Sequence, residues 1–141
     1  MNNEEGPSTR SVHVAKQLDA QHRTIVPPVV ENTAFSFNDL DIWRKVAFGK
    51  EPGDIYSRNS NPTTTVFDEK MAALEGAENA VSFATGMAAI STTLFALLRP
   101  PQRVVAIKDA YGGTYLHFTE ILPGFGVDCD VVDNDDHTVI E

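Results

Sequence analysis

The sequence contains a single cysteine, Cys129, so no internal disulfide can staple the chain and a secreted disulfide scaffold is excluded. Cys129 lies in the run Val127–Val132 and is expected to be a buried small hydrophobe rather than a reactive thiol. No stretch approaches the ~20 apolar residues of a membrane-spanning helix. The N-terminus, MNNEEGPSTR, has no apolar signal core. A soluble cytoplasmic protein with no membrane partner is the expectation. Basic residues are also few, 11 Lys and Arg against 20 Asp and Glu, for a net charge of −9. They are scattered, so no cluster exists to displace counterions from nucleic-acid phosphates, and nucleic acid is not an expected partner. Neither Gly-x-Gly-x-x-Gly nor Gly-Lys-Thr/Ser occurs, which removes the Rossmann and P-loop nucleotide binders.

What remains is a chain of 141 residues, 42% hydrophobic and 22% charged, sufficient for a buried core and for one domain or part of one. Residues 1–10 read as a polar tail, and Val12, Ala15 and Leu18 give a helical spacing over 11–21. Pro27-Pro28 favours extended backbone. Asn38 is the expected N-cap of a helix over Asp39–Phe48, with Gly49 just beyond it. Glu51–Asn61 reads as loop. Pro62 stands where a first helical residue belongs, after Asn61; Val66, Phe67, Met71 and Leu74 form an apolar stripe beside Lys70, closed by Gly76. A strand is predicted over Asn79–Ala84. From Thr85, Met87, Ile90, Leu94, Leu97 and Leu98 mark a helix that Pro100-Pro101 ends. Arg103–Ile107 lacks alternation and is predicted to be a strand buried on both faces. Gly112-Gly113 is expected to turn into a helix with Tyr115, Phe118 and Leu122 on one face, stopped by Pro123-Gly124. Val127–Asp133 is the third strand. Strand–helix–strand–helix–strand order predicts parallel pairing in an α/β fold. A further element is expected to start at Thr138-Val139-Ile140, which suggests a chain cut inside a larger α/β domain.

Three segments carry chemistry. At the junction Ser82–Ile90, a helix N-terminus offers unpaired amides and the positive end of a dipole, and Gly86 permits close backbone approach. The amides of Gly86 and Met87 would face a phosphate, while Thr85 would cap the helix or reach a phosphate oxygen. In Tyr56-Ser57-Arg58-Asn59-Ser60-Asn61-Pro62-Thr63, the arginine fork matches phosphate, although a loop arginine is by default simply solvated. In Asp109–Tyr115, a loop at the end of a strand, Tyr111 could stack on a planar ring, although core or surface packing is the default for a tyrosine.

Tyr-Ser-Arg-x-x-Asn-Pro-Thr, Phe-Ala-Thr-Gly-Met-Ala-Ala-Ile and Tyr-Gly-Gly-Thr-Tyr, in that order, resemble the pyridoxal-phosphate (PLP)-dependent transsulfuration family of cysteine and methionine metabolism. Its members include cystathionine γ-synthase, cystathionine γ-lyase and O-acetylhomoserine sulfhydrylase. Thr9-Arg10, Val12-His13, Pro27-Pro28 and Thr33-Ala34-Phe35 resemble its N-terminal arm; Val29-Val30-Glu31-Asn32 departs from its usual wording. The resemblance implies an N-terminal arm and interface segment over 1–60. Residues 61–141 would begin a mostly parallel-sheet, aspartate-aminotransferase-like PLP domain of fold type I. It further implies Gly86 and Met87 amides on the PLP phosphate, and Tyr111 on the pyridine ring, where it could help activate the substrate amine. Tyr56 and Arg58 would reach the cofactor of a neighbouring subunit, in a homodimer or homotetramer with shared sites. The substrate would be a sulfur amino acid or activated homoserine, and no metal is implied. The family's Schiff-base lysine sits in Ser-x-Thr-Lys, which does not occur here. Among Lys16, Lys45, Lys50, Lys70 and Lys108, the last is nearest the site but matches no catalytic position. The chain alone is therefore expected to be inactive, and a non-catalytic remnant or oligomerisation module is the alternative reading. Gly113 stands where methionine γ-lyases of the family place a cysteine, which favours the other subclasses.

Overall fold

The computed structural model describes residues 6–14, 24 and 26–133. The first residues of the expected tail, the expected helix beyond Val14 and the element at Thr138-Val139-Ile140 lie outside the described residues. The chain divides into two compact units, Met1–Ser82 and Phe83–Glu141.

In the first unit, helix α1 spans Pro7–His13, inside the stretch expected to be a tail. Pro7 is the reason: at the first helical position its fixed φ is already helical and its missing N–H would be unbonded anyway. Helix α1 packs on helix α3, Pro62–Glu75, where Arg10 Nη1 donates to the Ala73 carbonyl at 2.7 Å. Helix α2, Leu40–Ala47, is capped by Asp39 and not by the expected Asn38. The Asp39 carboxylate accepts from the amides of Asp41 at 2.7 Å and Ile42 at 3.4 Å, and its charge complements the helix dipole, which neutral Asn38 cannot do.

Helix α3 begins and ends where the sequence places it. Asn61 Oδ1 accepts from the Thr63 amide at 2.8 Å, Pro62 occupies the first turn, and Gly76 closes the helix at φ +68°, a left-handed conformation that glycine adopts without a Cβ penalty. The expected stripe is only half right. Val66, Ala72 and Ala73 are buried, whereas Phe67 is exposed. Phe67 and Met71 instead line a groove of about 290 Å³ with Ala80 and Val81. The strand expected over Asn79–Ala84 is not formed. Its residues have strand character, but a strand exists only with a ladder partner, and among the described residues none pairs with it.

In the second unit, helix α4 spans Gly86–Leu97, and strands β1, Arg103–Ile107, and β2, Asp128–Val132, pair in parallel from Arg103↔Asp128 to Ile107↔Val132. The parallel pairing is as expected; the two-sided burial of β1 is not. Only Ala106 is buried, and Val105 and Ile107 stand exposed, because a two-stranded sheet offers each face few covering neighbours. Gly112 and Gly113, expected as a turn, instead open helix α5, Gly112–Leu116. A wide π turn, His117–Ile121, joins it to the short helix α6, Leu122–Gly124. Pro123 supplies the reason for the widening: it has no N–H for the Thr119 carbonyl and its ring would clash there in a regular helix. The π turn also breaks the expected common face. Leu122 is fully buried, with Val127, Val132 and Ala106 around the same core, while Tyr115 remains exposed. The Phe95 and Phe125 rings meet edge to face at 5.2 Å, a favoured aromatic geometry.

Candidate functional site

The site is built at the N-terminus of α4. Four amides at a helix start have no partner within the helix. Here Thr85 Oγ1 accepts from the Ala88 amide at 3.1 Å, and the Ala89 amide reaches the Thr85 carbonyl at 3.1 Å. Of the two roles open to Thr85, the structure thus shows capping. The amides of Gly86 and Met87 are left with no acceptor among the described residues. Nothing lies within 4 Å of where a Gly86 Cβ would stand, so that flank is open to an incoming group. Two open amides at the positive end of a twelve-residue helix favour negative charge there.

Tyr111 is brought to the same place. It precedes α5 and is 74% exposed. A Cβ on Gly113 would stand 3.1 Å from both Met87 Sδ and Tyr111 Cε1, so the missing side chain is what lets the two approach. Thr114 Oγ1 adds a contact to Met87 Sδ at 3.6 Å. The Met87 side chain and the exposed Tyr111 ring therefore both flank Gly113, within the unit that also carries the open amides of Gly86 and Met87.

Tyr56 and Arg58 belong to the other unit. The Phe35 amide donates to the Ile55 carbonyl at 3.0 Å and the Ser57 amide to the Thr33 carbonyl at 2.9 Å, framing a bridge between Ala34 and Tyr56. Buried Asn61 holds the loop's far end. Its Nδ2 donates to the Val30 carbonyl at 3.1 Å and to Ser57 Oγ at 2.9 Å, and Ser57 Oγ in turn donates to the Asn32 carbonyl. Arg58 is exposed, with its guanidinium carbon 4.7 Å from the Tyr56 ring centroid. Among the described residues no carboxylate pairs with it, so its donors remain available to a ligand while the ring orients them.

Lys108 Nζ lies 3.5 Å from Asp133 Oδ1, both side chains well exposed, a surface pairing. Cys129 is half-buried. Burial pushes its thiol up, and Asp128 and Asp130 add to the effect, so the thiolate is disfavoured. No helix among the described residues is long and apolar enough to cross a membrane.

Sequence reasoning missed Ser91 and His117. Ser91 Oγ lies 2.7 Å from the Met87 carbonyl and 2.7 Å from His117 Nε2; His117 Nδ1 lies 3.0 Å from the Gly113 carbonyl. Only the four-residue steps Met87–Ser91 and Gly113–His117 hint at this, since each places a polar side chain over a backbone carbonyl of the site.

Open amides at a helix start, and a loop at a strand's carboxyl end that carries an exposed aromatic ring, stand where open α/β sheets take ligands. The chain belongs to the Cys/Met metabolism PLP-dependent enzyme family, whose pattern matches residues 8–141. It is 35% identical over 136 residues to an L-methionine γ-lyase of Pseudomonas putida, covering 96% of this chain and 34% of that protein. It is 33% identical over 131 residues to an O-acetyl-L-homoserine sulfhydrylase of Corynebacterium glutamicum, covering 93% and 30%. Among solved structures, an O-acetylhomoserine (thiol)-lyase of Campylobacter jejuni containing N'-pyridoxyl-lysine-5'-monophosphate superposes with a TM-score of 0.88 at 33% identity, covering 96% and 33%. The expected α/β fold is thus that of PLP-dependent type I enzymes, and the chain spans about a third of the length of the relatives it matches.

Proposed function

We propose that this chain supplies the phosphate cradle and the ring-stacking face of a PLP-dependent enzyme that acts on sulfur amino acids or activated homoserine by γ-replacement or elimination. One observation carries the reading: the Gly86 and Met87 amides lack acceptors among the described residues, and the Met87 side chain and the exposed Tyr111 ring both flank Gly113. These residues fit the cofactor: amides for its phosphate, an open flank at Gly86 for its approach, and an aromatic face for its ring. When bound, PLP supplies an electron-withdrawing ring that stabilises charge at the substrate carbon. The chain's own residues bind and orient. The two amides donate to phosphate oxygens, the α4 dipole favours the charge, and Tyr111 fixes the ring plane. Arg58 and Tyr56, on the arm segment 1–60, add donors to the cradle of a neighbouring subunit, in a cytoplasmic homodimer or homotetramer whose sites are shared. The binding domain begins at 61–141.

The anchoring lysine has no Ser-x-Thr-Lys counterpart in these residues, so for the chain by itself the proposal is binding rather than turnover. The same observation favours a second reading, a non-catalytic oligomerisation module. Reading the coding sequence downstream for Ser-x-Thr-Lys separates the two.

The binding reading is tested by equilibrium dialysis of the 141-residue chain against PLP and against phosphate-free pyridoxal. PLP is expected to bind more tightly, and Gly86→Ala, which keeps the backbone N–H but sets a methyl on the flank left open to the phosphate, to weaken it roughly tenfold. Equal binding of PLP and pyridoxal refutes the cradle.

A further inference from the structure

Met87 and Gly113 are joined through side chains as well as by close approach. Ser91, one turn into α4, directs its hydroxyl to the Met87 carbonyl at 2.7 Å and stands 2.7 Å from His117 Nε2. On the other side of the ring, His117 Nδ1 lies 3.0 Å from the Gly113 carbonyl. A carbonyl can only accept, so Nδ1 carries the ring hydrogen and donates to Gly113. In the neutral ring Nε2 is then an acceptor, and the Ser91 hydroxyl hydrogen lies between two acceptors, Nε2 and the Met87 carbonyl. The chain of contacts runs Met87–Ser91–His117–Gly113. It ties the first turn of α4, which presents the open amides, to the first turn of α5, which Tyr111 precedes. Both polar side chains are half-buried, where water competes less for these bonds.

We propose that His117 is a positioning residue that, through Ser91, locks the phosphate cradle of Gly86 and Met87 to the loop presenting Tyr111. It touches no ligand itself. Its action is preorganisation: without it the amides and the ring depend on the approach of Met87 to Gly113 and Thr114. A cofactor gripped at both its phosphate and its ring must then fix their separation at its own expense on binding. This rests on the PLP reading above, but the network can be tested without a ligand.

The first measurement is the tautomer of His117 in the 141-residue chain, read from two-bond proton–nitrogen couplings of the ring. The expected hydrogen is on Nδ1; a hydrogen on Nε2 with Nδ1 bare overturns the proposal. The second is PLP affinity. His117→Phe, which keeps a ring without its nitrogens, and Ser91→Ala should each weaken binding about tenfold, as loss of a half-buried hydrogen bond predicts. Ser91→Thr, which keeps the hydroxyl, should restore most of it. The double variant should be little worse than either single one, since both break the same link. A purely structural role for Ser91 would show neither the rescue nor this non-additivity. Unchanged affinity in both single variants overturns the proposal. Should the wild-type chain not bind PLP at all, the cofactor reading falls, and the amide resonances of Gly86 and Met87 and the ring resonances of Tyr111 decide the network. Their joint displacement in His117→Phe supports it, and their constancy refutes it.

Discussion

Replacing Gly113 with alanine separates fold stability from site geometry, because the two effects have opposite signs. Gly113 lies inside α5 with no positive φ, so alanine fits the backbone, and the helix gains about 0.5–1 kcal/mol from the lower entropy of the unfolded chain. Against this, the new Cβ stands 3.1 Å from Met87 Sδ and from Tyr111 Cε1, closer than ordinary van der Waals contact. Overpacking costs typically ~1–3 kcal/mol. The lower end applies here, because both atoms belong to side chains that can swing aside. The net change in stability is therefore within about 1 kcal/mol, a melting shift of only a few degrees. The site fares differently, since Met87 Sδ and the Tyr111 ring must both yield to the new Cβ and so shift from where they flank Gly113. Aromatic stacking is worth ~0.5–1.5 kcal/mol, so PLP affinity should fall about three- to tenfold. The assay pairs a thermal melt with a PLP titration followed by cofactor absorbance. A variant that binds PLP as tightly as wild type would falsify the role given to Gly113, and a large drop in melting temperature would show the crowding to be structural.

The other predictions concern single features. Arg58→Ala should lower PLP affinity in the assembled protein roughly ten- to hundredfold; mixing Arg58→Ala with Gly86→Ala subunits should regenerate tight sites if Arg58 serves its neighbour, and none if it serves its own subunit, provided subunit exchange is shown separately. Leu122→Ala empties a fully buried position and should cost about 2–5 kcal/mol in chemical denaturation; a loss under about 1 kcal/mol contradicts the packing described. The Arg103 side chain bonds Asp130 across the strands and holds its carboxyl below the usual range, against the opposing effect of burial. A depressed carboxyl contributes stability above its unfolded value, near 3.9, and loses it as pH falls through the folded value. Acidification below about pH 4 should therefore cost wild type slightly more than Asp130→Asn, and parallel pH profiles of melting temperature would show the pair to be inert.

What was legible in the sequence is what is local. Asn61, Pro62 and Gly76 delimit α3 because capping and a left-handed terminator are settled within a few residues. Asp39 took the cap from Asn38 because adjacent residues both able to cap are separated only by charge and backbone angle, which spacing does not reveal. Gly6-Pro7 was read as tail although proline also starts helices. Asn79–Ala84 has the composition of a strand but no ladder, since pairing is a property of two segments. Gly86, Met87 and Tyr111 stood out in motifs that the resemblance joined on one cofactor, whereas the close approach of the Met87 and Tyr111 side chains to Gly113 could not be read from spacing. The Ser91–His117 contact spans 26 positions, beyond any helical or strand period.

The π turn at His117–Ile121 acts on the helix like a phase shifter. One extra residue per turn advances the following side chains by about 100°. The stretch before it meets α4, and the turn and α6 after it meet β2. A uniform α-helix would have to choose: aligned so that His117 faces Ser91, it would swing Leu122 off the core it now fills. The chain therefore carries a frame-sensitive joint. Deleting one residue within 117–121 should do more harm than most substitutions there, because it would rotate one end of the helix against the other while leaving every retained side chain chemically intact.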